Sequence, residues 1–331
     1  MLNQRTDQPR KTQLVGLLIT FLLVAVAFFL FLVYKTAVID TLKGFAYAPT
    51  GDMLAIRTDL DLTRVGTRIF NATHPVLESR EDFNRDCDST NPDIAVFGCY
   101  YADQIYVYDI NVAELAGFRE STTAHELLHA NWSRLTGVER NALVPLLENV
   151  YSKNLDSLKE TLDTYAESEQ LDELYVRIGT QIADLPETLE AHYATVFNDR
   201  QKIVEFYKSY ITPFEELNSA IEKLGSELET LKTEIDAQTQ EYETRATKFN
   251  ASVNEFNTCA NTLNCFTSDY AFRTRRNQLV AEESALDELY NSLNNNISLY
   301  NKKVDEYNSN VLRSNNLQSL INSNSETINL E

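Results

Sequence analysis

Residues 201–320 contain almost no proline or glycine and carry a heptad rhythm, so this region can fold only as long helices. Apolar residues recur at alternating three- and four-residue steps on both sides of a short polar loop. The first stretch comprises Leu217, Ile221, Leu224, Leu228, Leu231, Ile235, Tyr242, Phe249 and Phe256. The second comprises Leu286, Tyr290, Leu293, Ile297, Tyr300, Val304, Tyr307 and Val311. Two matched arms predict an antiparallel coiled-coil hairpin at 201–320, followed by a flexible tail at 321–331.

The four cysteines form two local pairs, which is typical of disulfides in an oxidising compartment. Cys87 and Cys99 are predicted to pair within the N-terminal half of the chain. Cys259 and Cys265 flank the polar loop of the hairpin and are predicted to form a disulfide at its tip. Because neither pair has C-x-x-C spacing, we assign no metal to the cysteines.

Residues 14–34 form an apolar run of about twenty residues without a charge, which matches the roughly 30 Å hydrocarbon core of a bilayer. This run predicts a membrane anchor at 13–35. Arg5, Arg10 and Lys11 precede it and favour a cytoplasmic N-terminus at 1–12, with the rest of the chain outside a cell membrane crossed once. A cleaved signal peptide is the alternative, although its apolar region would be shorter.

Residues 48–200 combine strand-like pieces with helical patterns, so we expect one α+β domain that is mostly helical in its second half. The strand-like pieces are 53–57, 67–72 and 94–97. Within this region, residues 125–129 read H-E-x-x-H in a segment free of proline and glycine. On a helix, His125 and His129 share a face and can bind one Zn²⁺, while Glu126 lies beside them. The alternative is a pair of surface histidines.

This segment resembles the metal-binding helix of the zincin metallopeptidases. The resemblance implies that His125 and His129 bind zinc and that Glu126 is the general base. Zincins also place an edge strand ahead of this helix, and residues 105–110 have the β-branched and aromatic composition of such a strand. Asn131 departs from the zincin pattern, which usually has an apolar residue there.

The sequence offers several candidates for the third zinc ligand. Leu135 stands where the metzincin pattern has its third histidine, so a carboxylate is expected instead. Residues 172–180 resemble the E-L-H/Y…G-T stretch of membrane-anchored bacterial proteins with zincin-like domains. This resemblance is of the gluzincin type and implies Glu173. Alternatives are Glu148, Glu187, Glu190 and His192.

The helical pattern around Glu173 favours a different interpretation. Leu171, Leu174 and Ile178 make one apolar stripe, and Glu173 lies nearly opposite it, as a solvated surface glutamate would. Side chains that could donate to a tetrahedral oxyanion are Tyr175, His192 and Tyr193.

These observations predict a membrane-anchored, extracytoplasmic zinc endopeptidase that hydrolyses peptides or proteins of the cell envelope or surface, with a protein partner on the hairpin. The second interpretation is a non-catalytic surface scaffold with a zincin-like lobe and a coiled-coil interaction arm. The net charge of −20 argues against a nucleic-acid partner.

Overall fold

The computed structural model describes residues 8–87 and 97–323, and side chains are not described at 8–14, 27, 29–33, 156, 157 and 160. The described residues are mostly helical and include a small three-stranded sheet in the N-terminal half. It divides into two compact units. The first contains the chain up to Pro213 together with its end from Ser319, and the second is Phe214–Gln318.

The first unit combines helices with a sheet of three short strands. The helices are α1 (Gln8–Gly44), α2 (Gly51–Asp59), α3 (Arg64–Ala72), α4 (Arg80–Asp86), α5 (Phe118–Arg134), α6 (Gly137–Lys153), α7 (Leu155–Leu162), α8 (Gln170–Gln181) and α9 (Glu187–Tyr193). The strands are β1 (Val76–Glu78), β2 (Gly98–Tyr101) and β3 (Gln104–Tyr108). In the order β1-β3-β2, β3 pairs in parallel with β1 and antiparallel with β2.

Two of the strand predictions are wrong, because residues 53–57 lie in α2 and residues 67–72 lie in α3. Met53 and Ile56 are buried three residues apart, and Ile69 and Phe70 follow Gly66 at helical spacing. The positions that are buried in the structure therefore follow the helical period rather than a strand's alternation. The third predicted piece, 94–97, lies outside the described residues except for Phe97.

The predicted anchor at 13–35 falls within α1. Among the described residues, no helix combines the length and the apolar character that a bilayer crossing requires. The C-terminal end of α1 contacts α5 through a charged pair. Arg134 donates from Nε to both carboxylate oxygens of Asp40, at 3.1 and 3.0 Å, and Asp40 is buried.

The second unit contains the long helices α10 (Arg200–Ala260) and α11 (Asp269–Ile321) between Phe214 and Gln318. They run antiparallel, because residues further along α10 contact residues progressively earlier in α11. Lys303 pairs with Glu227, Gln238 donates to Ser292 at 3.3 Å, and Arg245 donates to Glu282 at 3.1 Å. Most predicted seam residues are buried or half-buried, but Tyr290 and Ile297 are 49% and 38% exposed.

Both predicted disulfides are present. Cys87 bonds Cys99 and ties the end of α4 to β2, while Cys259 bonds Cys265 in the loop between α10 and α11. The predicted tail at 321–331 lies outside the described residues from position 324, as do residues 1–7 of the predicted N-terminal segment.

Candidate metal centre

Helix α5 carries the H-E-x-x-H residues through the middle of the first unit. It begins after Gly117, whose φ of 88° is left-handed, and a Cβ there would lie 2.6 Å from the Phe206 carbonyl oxygen. No proline or glycine interrupts the helix as far as Arg134. His125 and His129 are therefore one turn apart on one face, with ring centroids separated by 5.0 Å.

Helix α8 packs closely on α5 because Gly179 lies at their contact. A Cβ at Gly179 would be 2.5 Å from Leu128 Cδ1 and 2.6 Å from Tyr193 Cε1. This approach buries Glu173 and places its Oε2 3.7 Å from His125 Nε2 and 3.4 Å from His129 Nε2. One ligand atom from each of the three residues lies within 4.8 Å of the others.

The burial of Glu173 contradicts the surface position that its helical pattern favoured. Its side chain is only 2% exposed. The pattern misleads because α8 packs against α5, α6 and α7, which leaves little of its surface for solvent. Residues on several faces of α8 are consequently buried: Glu173, Leu174, Tyr175, Val176, Ile178, Gly179 and Thr180.

Two further charged residues of α8 hold this cluster in place, and neither was identified as functional from the sequence. His129 Nδ1 lies 2.9 Å from Asp172 Oδ1, and this hydrogen bond leaves Nε2 directed at Glu173. Arg177 Nε lies 2.5 Å from Glu173 Oε1, on the opposite side of the carboxylate from the histidines. The four-residue step from Glu173 to Arg177 is the usual spacing of an ion pair on a helix, and this spacing could have identified Arg177 from the sequence.

The electrostatics of the cluster favour a cation. Burial disfavours the charged form of His129, but its contacts with Asp172 and Glu173 outweigh this and raise its pKa to about 10. Burial also works against the charged form of Glu173. His125, His129 and Arg177 outweigh it and hold the pKa of that carboxyl well below its usual range.

The three side chains fit a divalent metal ion. Ligands at about 2.0–2.2 Å from a tetrahedral ion lie about 3.3–3.6 Å from one another, close to the two His–Glu separations. Two imidazoles and one carboxylate are a donor set found at catalytic zinc sites with an open position. The residues could therefore hold a metal ion, and its identity as zinc is a proposal.

Glu126 lies beside the cluster at the wall of a cavity of about 370 Å³. It is buried, and burial raises the pKa of its carboxyl despite the opposing effect of His125 and His129. Gly98 of β2 makes room for it, since a Cβ there would lie 2.9 Å from Glu126 Oε1. Strand β2, rather than the predicted segment 105–110, is thus the edge strand at the site, because β3 has neighbours on both sides.

The alternative ligands lie elsewhere. Glu148 and Glu187 are exposed, and Glu190 accepts a hydrogen bond from Arg200 Nε at 2.8 Å. His192 Nε2 lies 3.0 Å from the Tyr175 hydroxyl and belongs to a separate hydrogen-bonded group. None of these four joins the cluster formed by His125, His129 and Glu173 in the described part of the chain.

The side chains proposed as oxyanion donors are also committed elsewhere. The Tyr175 hydroxyl accepts a hydrogen bond from Asn131 Nδ2 at 2.7 Å, which gives that unusual asparagine a structural role. The Tyr193 hydroxyl donates to the Tyr175 carbonyl at 2.7 Å. The cavity is lined instead by other polar and aromatic side chains, among them Tyr165, Arg177, Thr180, Tyr207 and Tyr210.

Comparison with known proteins finds no matching family model, no matching curated protein and no matching solved structure. The zincin resemblance therefore stays a prediction that rests on the sequence motif.

Proposed function

We propose that this protein is a zinc-dependent endopeptidase whose general base is Glu126. The observation that carries the proposal is the convergence of His125, His129 and Glu173 within 4.8 Å of one another, beside a buried glutamate at a cavity. A site that only stabilises the fold needs its ligands but does not need a buried carboxylate next to them. The membrane location and the envelope substrate remain predictions from the sequence.

The proposed hydrolysis assigns a role to each residue of the site. His125, His129 and Glu173 would hold the ion, and Asp172 and Arg177 would orient two of these ligands. A bound Zn²⁺ supplies a Lewis acid that polarises water and the scissile carbonyl. Glu126 accepts the proton of the attacking water and transfers it to the leaving nitrogen, so it acts first as base and then as acid.

A peptide is the substrate class that the surroundings favour. Gly98 of β2 lines the cavity, and β2 pairs with β3 on one side only among the described strands. Its other edge offers main-chain donors and acceptors to an extended peptide. Such pairing would align a scissile bond beside Glu126.

The test measures metal content and cleavage of casein and a peptide library by the purified full chain and three variants. We expect wild type to bind one zinc and cleave, Glu126→Gln to keep zinc without cleaving, and Glu173→Gln to lose zinc. Glu148→Gln is the matched control, because Glu148 is exposed and should leave both properties unchanged.

The outcomes separate the two functions predicted from the sequence. If wild type binds zinc and cleaves nothing while Glu126→Gln behaves identically, the non-catalytic scaffold is supported. If wild type binds no zinc, or if Glu126→Gln cleaves as fast as wild type, the peptidase proposal fails.

A further inference from the structure

The loop that joins α10 and α11 is more elaborate than a helical hairpin needs. Two antiparallel helices can be joined by about two to five residues. Here residues 261–268 separate the helices, and the Cys259–Cys265 disulfide closes the loop. We name residues 255–276, with this loop at their centre, the hairpin tip.

A small aromatic core keeps the hairpin tip rigid. Phe256, Phe266 and Phe272 contact one another, with ring centroids 5.1–5.4 Å apart. They come from α10, the loop and α11, so they fix all three parts of the tip together. This rigidity lowers the entropy that the tip would lose on binding another molecule.

The same tip exposes large apolar side chains. Leu263 is 91% exposed and Tyr270 is 80% exposed. Beside the phenylalanines lies a cavity of about 380 Å³, whose lining includes Phe256, Phe266 and Arg275. A rigid surface with exposed apolar groups and an apolar cavity is typical of interaction sites.

The charge of the tip indicates what it binds. The chain as a whole has a net charge of −20, yet the hairpin tip contains Arg273, Arg275 and Arg276 against Glu255 and Asp269. Arg273 pairs with Asp269 at 2.9 Å. Arg275 and Arg276 have no carboxylate partner among the residues that the structure describes, so they are available to an acidic molecule.

We propose that the hairpin tip is a docking surface for an acidic segment of another protein. The segment places an apolar side chain in the cavity and its carboxylates against Arg275 and Arg276. A protein segment fits better than an anionic lipid surface, because the cavity of about 380 Å³ is lined by Phe256 and Phe266 and can receive an apolar side chain, which a surface of lipid headgroups does not offer. The proposal does not depend on peptidase activity.

The experiment selects a phage-displayed library of random twelve-residue peptides on the full chain. The same library is counter-selected on the variant Leu263→Ser/Arg275→Glu, whose changes lie at the surface of the tip. We expect enriched peptides that combine Asp or Glu with Leu, Phe or Trp. In fluorescence anisotropy, the best synthetic peptide should bind each single variant at least about tenfold more weakly than wild type.

Matched controls test whether the effect belongs to the tip. Leu312→Ser and Arg313→Glu change an exposed leucine and an exposed arginine of α11 outside the tip, and both should bind the peptide as wild type does. Glu126→Gln should also bind normally, which separates this proposal from the peptidase. A peptide with Lys in place of its acidic residues should recover binding to Arg275→Glu.

Three results would overturn the proposal. The first is a library that yields no peptide dependent on the tip, and the second is enrichment of basic or purely apolar peptides. The third is binding of the full chain to phosphatidylserine vesicles that is lost in the tip variants while no peptide binds, since this would assign the tip to a lipid surface.

Discussion

Replacing Gly98 by alanine tests how closely β2 must approach the helix that carries Glu126. The added Cβ would lie 2.7 Å from Thr122 Cγ2 and 2.9 Å from both Glu126 Cγ and Glu126 Oε1. Carbon atoms in ordinary contact are about 3.5–4.0 Å apart, so something must move by roughly 0.8 Å. Thr122 and Glu126 are both buried, and they therefore cannot simply turn into solvent.

The expected magnitudes follow from that displacement. Inserting a methyl group into a well-packed site typically costs about 1–3 kcal/mol of unfolding free energy. A reacting group displaced by about 1 Å loses roughly a hundredfold in rate. We therefore expect Gly98→Ala to lower kcat/KM by about 30- to 100-fold. Zinc affinity should change by less than about twofold, because the closest contacts of the new Cβ do not include His125, His129 or Glu173.

The assay compares kcat/KM for the best peptide from the library with zinc affinity and urea unfolding. Gly137→Ala is the matched control, because a Cβ at Gly137 would meet nothing within 4 Å. Adding Thr122→Ser to Gly98→Ala removes the methyl group at the shortest contact, so the double variant should regain stability more than activity. Wild-type activity in Gly98→Ala would refute this reasoning, as would a loss of zinc in proportion to the loss of activity.

Three more substitutions test the surroundings of the cluster and one distant carboxylate. Asp172→Asn should weaken zinc binding about 10- to 100-fold, measured by competition with a chelator, because it removes the anion that orients His129; an unchanged affinity would contradict that role. Arg177→Met should lower the unfolding free energy of the zinc-free protein by about 3 kcal/mol, because it leaves Glu173 with one fewer buried cation. Added zinc should restore part of this loss in urea unfolding, and equal loss with and without zinc would contradict the argument. Burial and neighbouring carboxylates raise the pKa of Glu78 from 4.5 to about 7, so the folded state loses stability as pH rises through that window. Glu78→Gln should therefore match wild type in urea at pH 4 and exceed it at pH 8, and a difference of the same size at both values would sink this assignment.

The part of the site that lies on one helix could be predicted from the sequence. His125, Glu126 and His129 lie within five consecutive residues of one helix, so their relative positions are set by helix geometry. Glu173 could be reached only through the zincin resemblance, since its helical pattern pointed to the surface. Its burial depends on how α8 packs against three other helices, and a periodic pattern contains no information about such contacts.

In the fold, too, local sequence patterns predicted some elements, whereas tertiary packing decided others. The long helices and both disulfides follow from heptads and from local cysteine pairs. The strand predictions at 53–57 and 67–72 failed because short apolar runs fit either period, and only packing decides between them. The edge strand at the site, β2, is only four residues long and begins with a glycine, so two tyrosines are too short a pattern to predict it.

The two glycines at the candidate centre explain why the cluster and the base can be so close. Gly179 lets α8 approach α5, which brings Glu173 to the histidines, and Gly98 lets β2 approach the same helix beside Glu126. Each glycine lies against a different side of α5, so the helix is confined from two directions at the turn that carries the motif. A larger residue at either position would need α5 or its side chains to shift, but with different consequences. At Gly179 the change should separate the ligands and weaken metal binding, whereas at Gly98 it should displace Thr122 and Glu126 and leave the ligands in place. Binding and chemistry therefore depend on separate backbone contacts, which is why substitutions at these positions can distinguish a metal site from a catalytic one.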